Sequence, residues 1–320
     1  MKKVLLLWYT INNNFGDVLI YETVKDTLET SGMEVSYIDV GNPCKDIFYE
    51  ANKHDFLLFA GGGIIERYVP NVIRYFQEDF DELTVPYGVI GLSIGGFDYT
   101  KYKDQIGFWV RNAEFFYTRD EYSAKYLNRL CSVDKVVEGV DIVWANNRII
   151  KNASRKFKGI NVRDVPYLDI YEDLDWKRLK EVVEELDFDY AIADESEKEV
   201  EVNLLNNSKI VQYSVDVVLE QIWSCRIIIA MRYHVILAAA ANGIPVLPIA
   251  YCPKVTQLAK QIGISDFEVS VYEIDKIEEK LEKICKNSEQ IKEKLHIKSE
   301  LMRNKANMIL YHVCQTINHC

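Results

Sequence analysis

Between residues 227 and 254 the chain reads IIIAMRYHVILAAAANGIPVLPIAYCPK, and three residues there could do chemistry together. Arg232 and His234 follow an apolar run and open a helical pattern; Lys254 follows a second apolar run, just after Pro253. The start of a helix presents N–H groups and the positive end of the peptide dipole to an anion. An imidazole there suits general acid–base work. Taken singly, Arg232 and Lys254 are better explained as surface charges, and His234 as a satisfied polar residue. At two strand-to-helix junctions together, they read as an anion clamp beside a proton-transfer group.

Weaker signals lie elsewhere. Arg119 and Arg163 each follow a short apolar run, where an arginine forms a structural ion pair or grips a carboxylate or phosphate in bidentate fashion. The segment 12–17 (NNNFGD) follows the first apolar run, and its Asn14 and Asp17 suit either a helix cap or a ligand. AGGG at 60–63, which contains Gly62, and GLSIGG at 91–96 permit close backbone approach, as a plain turn would. Neither is G-x-G-x-x-G, which argues against a dinucleotide oxidoreductase.

These residues need a scaffold. Short apolar runs alternate with longer amphipathic ones, the pattern of parallel βαβ units. Strands are expected at 4–9, 35–40, 56–60, 87–92, 115–118, 136–137, 159–162, 190–193, 210–213, 226–231 and 244–251. Helices are expected at 17–30, 121–130, 175–186, 217–225, 234–242 and 253–263. In a parallel sheet the ligand crevice lies outside the carboxyl ends of the strands, which places Arg232, His234 and Lys254 together. The polar, basic run 146–158 (NNRIIKNASRKFK) marks a domain boundary, giving domains at 1–150 and 151–320. From 277 onward two apolar stripes, one of Ile277, Leu281 and Ile284 and one of Ile291, Leu295, Met302, Ala306 and Ile309, predict packing helices. The fold class expected is α/β: two doubly wound domains facing a cleft, with a C-terminal helical extension.

The 320 residues suit about two domains at roughly 150 residues each. With 38 Lys+Arg against 49 Asp+Glu, the net charge of −11 repels nucleic acid and anionic membrane. A basic cluster against that background is informative. The seven scattered cysteines include no Cys-x-x-Cys pair for a metal, and an odd thiol count suits a reducing compartment. MKKVLLLWYT runs into NNNFGD without a cleavage signal and reads as a first buried strand. No apolar stretch reaches the ~20 residues that span a bilayer. A cytoplasmic protein with no transmembrane segment is expected; a peripheral membrane contact would fall on 148–158, which reads rather as a solvated linker.

NNFGD at 13–17, AGGG at 60–63, FFYTRDEYS at 115–123, GINVRD at 159–164, MRYHVILAAAANGIPVLPIAY at 231–251 and PK at 253–254 together resemble the polysaccharide pyruvyl transferase family. The likeness runs through about residue 265; GGFD at 95–98 departs from it, since many relatives carry Gly-Pro there. The resemblance implies a metal-independent, GT-B-like enzyme of two Rossmann-like domains. Its donor would be phosphoenolpyruvate, its acceptor a sugar residue of a glycan precursor, and it would need no cofactor. It further implies His234 in catalysis, Arg232, Lys254, Arg119 and Arg163 at the donor, and Asp17, Asn14 and Gly62 at the acceptor. Two other readings stand beside it: a nucleotide-sugar-dependent glycosyltransferase on the same architecture, and a sugar- or anion-binding protein without activity.

Overall fold

The computed structural model describes residues 1–8, 14–39, 47–63, 82–95, 98–162, 176–186, 188–192 and 213–320. The chain forms two compact units. One comprises Met1–Ile11, Asp17–Asn146 and Met302–Cys320; the other comprises Asn12–Gly16 and Asn147–Leu301.

The first unit is built on a six-stranded sheet of β1 (Lys3–Trp8), β2 (Glu34–Asp39), β3 (Phe56–Gly62), β4 (Tyr87–Leu92), β5 (Phe116–Thr118) and β6 (Val137–Glu138), in the order β2-β1-β3-β4-β5-β6. Every pairing is parallel. The central strands are apolar at nearly every position because both faces are covered: β3 and β4 are buried throughout. Leu5, Leu7, Leu57 and Phe59 pack in one cluster with Ile47, Phe48, Trp109 and Leu127 from three helices. By strand alternation Val4, Leu6 and Trp8 face the other side.

The second unit holds a five-stranded parallel sheet of β7 (Phe157–Asn161), β8 (Tyr190–Ala191), β9 (Cys225–Ala230), β10 (Val246–Ala250) and β11 (Val269–Ser270), ordered β11-β10-β9-β7-β8. The helix Tyr233–Ala241 joins β9 to β10. Its alanines 238–240 are completely buried. It stops in a Schellman turn, with Gly243 at φ +62° donating to the Ala240 carbonyl and Ile244 to that of Ala239.

In each sheet the chain reverses its direction of winding once, between β1 and β3 and between β7 and β9. Ligand crevices form at such reversals, outside the carboxyl ends of the strands.

The C-terminal helix Ser288–His319 buries the second expected stripe, Ile291, Leu295, Met302, Ala306 and Ile309, and the helix Ile277–Lys286 before it buries Ile277 and Ile284 of the first. Its Ser299 hydroxyl donates to the Ala240 carbonyl in the second unit; in the first, Lys305 pairs with Glu138 at 3.4 Å. The basic segment 148–158, exposed in part, is tied to the second unit at three points. Arg148 pairs with Asp216 at 2.6 Å, Lys151 lies 4.6 Å from the centre of the Trp223 ring, and Arg155 donates to the Asn242 carbonyl. Among the described residues no helix is long and apolar enough to cross a membrane. The strand expected at 210–213 falls almost wholly outside the described residues.

Candidate active site

In the second unit β9 ends at Ala230, and Arg232 is the N-cap of the helix Tyr233–Ala241, with His234 in its first turn. The neighbouring strand β10 ends at Ala250, and Pro253 and Lys254 open the helix Pro253–Gln261. Because β9 and β10 are adjacent and parallel, with Pro248 opposite Ala230, both helices start at the same edge of the sheet. Arg232 is buried; His234 and Lys254 are half-buried.

The charge at these two helix starts runs against the peptide dipole. Most other helices place acids in the first turn, among them Asp17, Asp104, Glu121, Asp216 and Glu289, although the helix Trp176–Glu185 has none. The helices Tyr233–Ala241 and Pro253–Gln261 have no acid there, only Arg232, His234 and Lys254 at or beside their N-termini. A cation in such a place forgoes about 0.3–1 kcal/mol of helix stabilisation. Two adjacent departures of the same sign suit a bound anion, which would gain from the dipoles and the side chains alike.

Asn161, at the end of β7 and fully buried, locks this corner. Its Oδ1 accepts from the Arg232 N–H at 3.0 Å, its Nδ2 donates to the Ile192 carbonyl at 2.8 Å, and its own carbonyl accepts from the Met231 N–H. One amide thus fixes the chain leaving β9 to β7 and its neighbour at the reversal point. The next cation along, Arg163, lies outside the described residues.

Gly16 meets His234 within the same unit. A Cβ added at Gly16 would stand 1.8 Å from His234 Nδ1 and 2.4 Å from Cγ, so only glycine allows the imidazole its place. Asn14 holds the glycine there: its Oδ1 accepts from the Gly16 N–H at 2.9 Å, capping the helix Phe15–Thr30.

In the first unit Asp17 lies against the last residue of β3. Gly62 has φ +73°, which disfavours any side chain, and a Cβ there would come within 3.3 Å of Asp17 Oδ1. Trp8 Nε1 donates to the Asp17 carbonyl at 2.6 Å. Asp17 and Gly62 thus flank the reversal between β1 and β3.

Arg119 follows β5 and is 2% exposed. Its guanidinium pairs with the buried Asp141 carboxylate at 3.4 Å, and its N–H donates to the Leu92 carbonyl. Asp120 caps the helix Glu121–Cys131 by accepting from the Ser123 N–H. The described site residues therefore fall in two places. Arg232, His234 and Lys254 gather at one sheet edge with Gly16, while Asp17 and Gly62 flank the other unit's reversal point and Arg119 follows β5 in that unit.

Three residues were missed in the sequence: Asn161, Asp141 and Gly16. Gly16 lies in NNFGD and Asn161 in GINVRD, motifs that the sequence does mark, whereas Asp141 lies in none; the role of each depends on a partner elsewhere along the chain.

A model of the polysaccharide pyruvyl transferase family matches residues 14–253, three quarters of the chain, including every one of these positions but Lys254, which directly follows the matched stretch. The chain belongs to that family. It is thus a transferase of the polysaccharide pyruvyl transferase type. No curated protein sequence matches it significantly. Among solved structures it resembles UDP-GlcNAc 2-epimerase from Neisseria meningitidis bound to UDP-GlcNAc, with a TM-score of 0.61 at 12% identity over 98% of this chain and 100% of the other. It also resembles S. aureus MnaA with UDP, with a TM-score of 0.61 at 10% identity over 98% and 97%. The spinosyn rhamnosyltransferase SpnG aligns over all of both chains, with a TM-score of 0.56 at 11% identity. These likenesses establish the fold, that of GT-B glycosyltransferases and related epimerases.

Proposed function

We propose that this polysaccharide pyruvyl transferase family member transfers the pyruvyl group of phosphoenolpyruvate to two hydroxyls of one sugar residue, in a polysaccharide or glycan precursor, forming a ketal. The observation that carries the reading is the pair of adjacent helix starts bearing Arg232, His234 and Lys254 in place of acids. A small dianionic or trianionic ester matches that arrangement, with its carboxylate and phosphate shared among the cations.

The chemistry follows from those groups. His234 gives a proton to the methylene carbon of the enol ester, and the adjacent carbon becomes electrophilic. A sugar hydroxyl adds to that carbon and loses its proton. The bond from that carbon to the phosphate oxygen then breaks, releasing inorganic phosphate, and a second hydroxyl of the same sugar adds and is deprotonated. One proton enters at carbon and two leave the hydroxyls, restoring the base and protonating the phosphate. No electrons are exchanged, so the sequence calls for no redox cofactor. Arg232 and Lys254 bind the donor, Arg119 and Arg163 complete its charge neutralisation, and Asp17, Asn14 and Gly62 line the acceptor side. A cytoplasmic location, where phosphoenolpyruvate is formed, fits this donor.

A nucleotide sugar is the competing donor, because two of the structures sharing the fold were determined with UDP or UDP-GlcNAc. Thermal unfolding with each donor separates the readings, since a ligand that binds the native state raises the midpoint. Phosphoenolpyruvate is expected to raise it and UDP-sugars to leave it unchanged; the reverse result would assign the site to a nucleotide sugar. No shift with either, and no phosphate release with acceptors, would support a binding protein without activity.

A further inference from the structure

Beside Asp17 lies an aromatic cluster that the donor chemistry does not use. Trp8 ends β1, Tyr37 stands on the edge strand β2, and Tyr21 lies one turn beyond Asp17 on the helix Phe15–Thr30. The Trp8 and Tyr21 rings stack at 4.4 Å with 23° between their planes. Tyr37 meets both edge-on, at 6.0 Å from Trp8 and 5.1 Å from Tyr21. Aromatic rings in this unit's core are sealed from solvent, Phe59, Trp109 and Phe116 each being 1% exposed. This cluster instead grades outward, from Trp8 at 8% to Tyr37 at 55%.

We propose that Trp8, Tyr21 and Tyr37 form a stacking subsite for a pyranose ring of the acceptor glycan, next to the sugar that takes the ketal. The proposal rests on the acceptor side assigned above. A pyranose offers C–H bonds on its face, which the negative face of an aromatic ring attracts, and hydroxyls around its rim, which need donors and acceptors. Both are at hand. Asp17, Tyr21 and Lys25 follow one helix face at intervals of four, and Asp39 ends β2 opposite Trp8. Lys25 lies 5.8 Å from the centre of the Tyr21 ring. Burial and the neighbouring Tyr37 raise the Tyr21 phenol above its ordinary value, keeping it a neutral donor.

Charge favours a neutral sugar over an anionic lipid surface. Lys25 is offset by Glu29 at 3.9 Å, and the other ionisable side chains named beside the rings, Asp17 and Asp39, are acidic, a sign that disfavours lipid phosphates. The Trp8 N–H bond to the Asp17 carbonyl ties the platform to the acceptor carboxylate, so a glycan held at one reaches the other.

The test titrates the full chain, without donor, against tetrasaccharides of galactose, mannose, N-acetylglucosamine and N-acetylmannosamine and against the matching monosaccharides. Saturation-transfer NMR and tryptophan fluorescence read the binding. At least one tetrasaccharide is expected to bind ten-fold or more tightly than its monosaccharide. Tyr37→Ala should erase that advantage and Tyr37→Trp should keep it, with unchanged melting temperatures. The proposal is overturned if no tetrasaccharide outbinds its monosaccharide at millimolar concentration, or if Tyr37→Ala retains the full advantage. It is equally overturned if Tyr37→Ala abolishes binding to phosphatidylglycerol vesicles and leaves sugar binding untouched. Parallel thermal shifts with phosphoenolpyruvate and UDP-GlcNAc keep the two questions apart. A response to UDP-GlcNAc alone would overturn the pyruvyl reading and leave the platform standing, and a response to phosphoenolpyruvate without sugar binding would do the opposite.

Discussion

The imidazole of His234 rests directly on the backbone of Gly16, in the space a side chain there would fill, 1.8 Å from the position of its Cβ. No rotation of an alanine methyl relieves such an overlap, so the ring itself must turn away. Gly16→Ala is therefore expected to lower turnover ten-fold or more while phosphoenolpyruvate binding changes by less than three-fold. Steady-state kinetics beside calorimetric titration would show this split, and equal losses in both would mean that the helix start, rather than the ring, has moved.

His234→Ala removes the proposed proton donor and leaves Arg232 and Lys254. Turnover should fall by about 10²–10⁴. Phosphoenolpyruvate binding should persist in part, as titration calorimetry would record. Turnover near that of the unaltered protein would take His234 out of the mechanism.

The scaffold was largely legible because its strands are buried on both faces. The expected strand at 87–92 matches β4, and the helix expected at 253–263 forms as Pro253–Gln261, since proline and glycine punctuate it. Strand ends were less legible. β3 continues to Gly62 beyond its last apolar side chain, because backbone pairing there outlasts the hydrophobic pattern. The helix Lys103–Asn112 gave no clear signal, as Gly107 interrupts it and its apolar residues are bunched at 106–110. At the site, charge and position at strand ends brought forward Arg232, His234 and Lys254. Asn161 and Asp141 stayed hidden because each acts through a partner, 71 and 22 residues away, and only folding brings the two together.

The buried pair of Arg119 and Asp141, each at most 2% exposed, gives an opportunity to separate folding from function. Asp141→Asn removes the carboxylate paired with a buried cation and should cost about 3–5 kcal/mol. Replacing both residues, Arg119→Met with Asp141→Leu, should recover most of that stability in urea unfolding. If Arg119 also neutralises donor charge, the double variant stays at least ten-fold below the unaltered protein in turnover. Full recovery of turnover would make the pair purely structural.

Glu268 carries a pH signature. Burial raises its carboxyl above the ordinary value of 4.5, opposed by the Thr256 hydroxyl donating to it at 2.8 Å and by Lys280. The folded chain thus holds this proton more tightly than the unfolded one. The contribution to stability is complete below the unfolded value and is lost as pH rises through the folded one. Glu268→Gln keeps an acceptor for Thr256 and removes the desolvated charge, so its urea midpoint should exceed that of the unaltered protein at pH 7 and match it near pH 4. A lower midpoint at pH 7 would show that the charge is stabilised by groups beyond these.

Calorimetric titration of phosphoenolpyruvate into the unaltered protein and into a variant carrying both Arg232→Ala and Lys254→Ala bears most directly on the anion site. Saturable binding to the former, weakened at least a hundred-fold in the latter with the fold retained by circular dichroism, is the predicted result. No binding at millimolar phosphoenolpyruvate, or equal affinity in both proteins, would contradict the account.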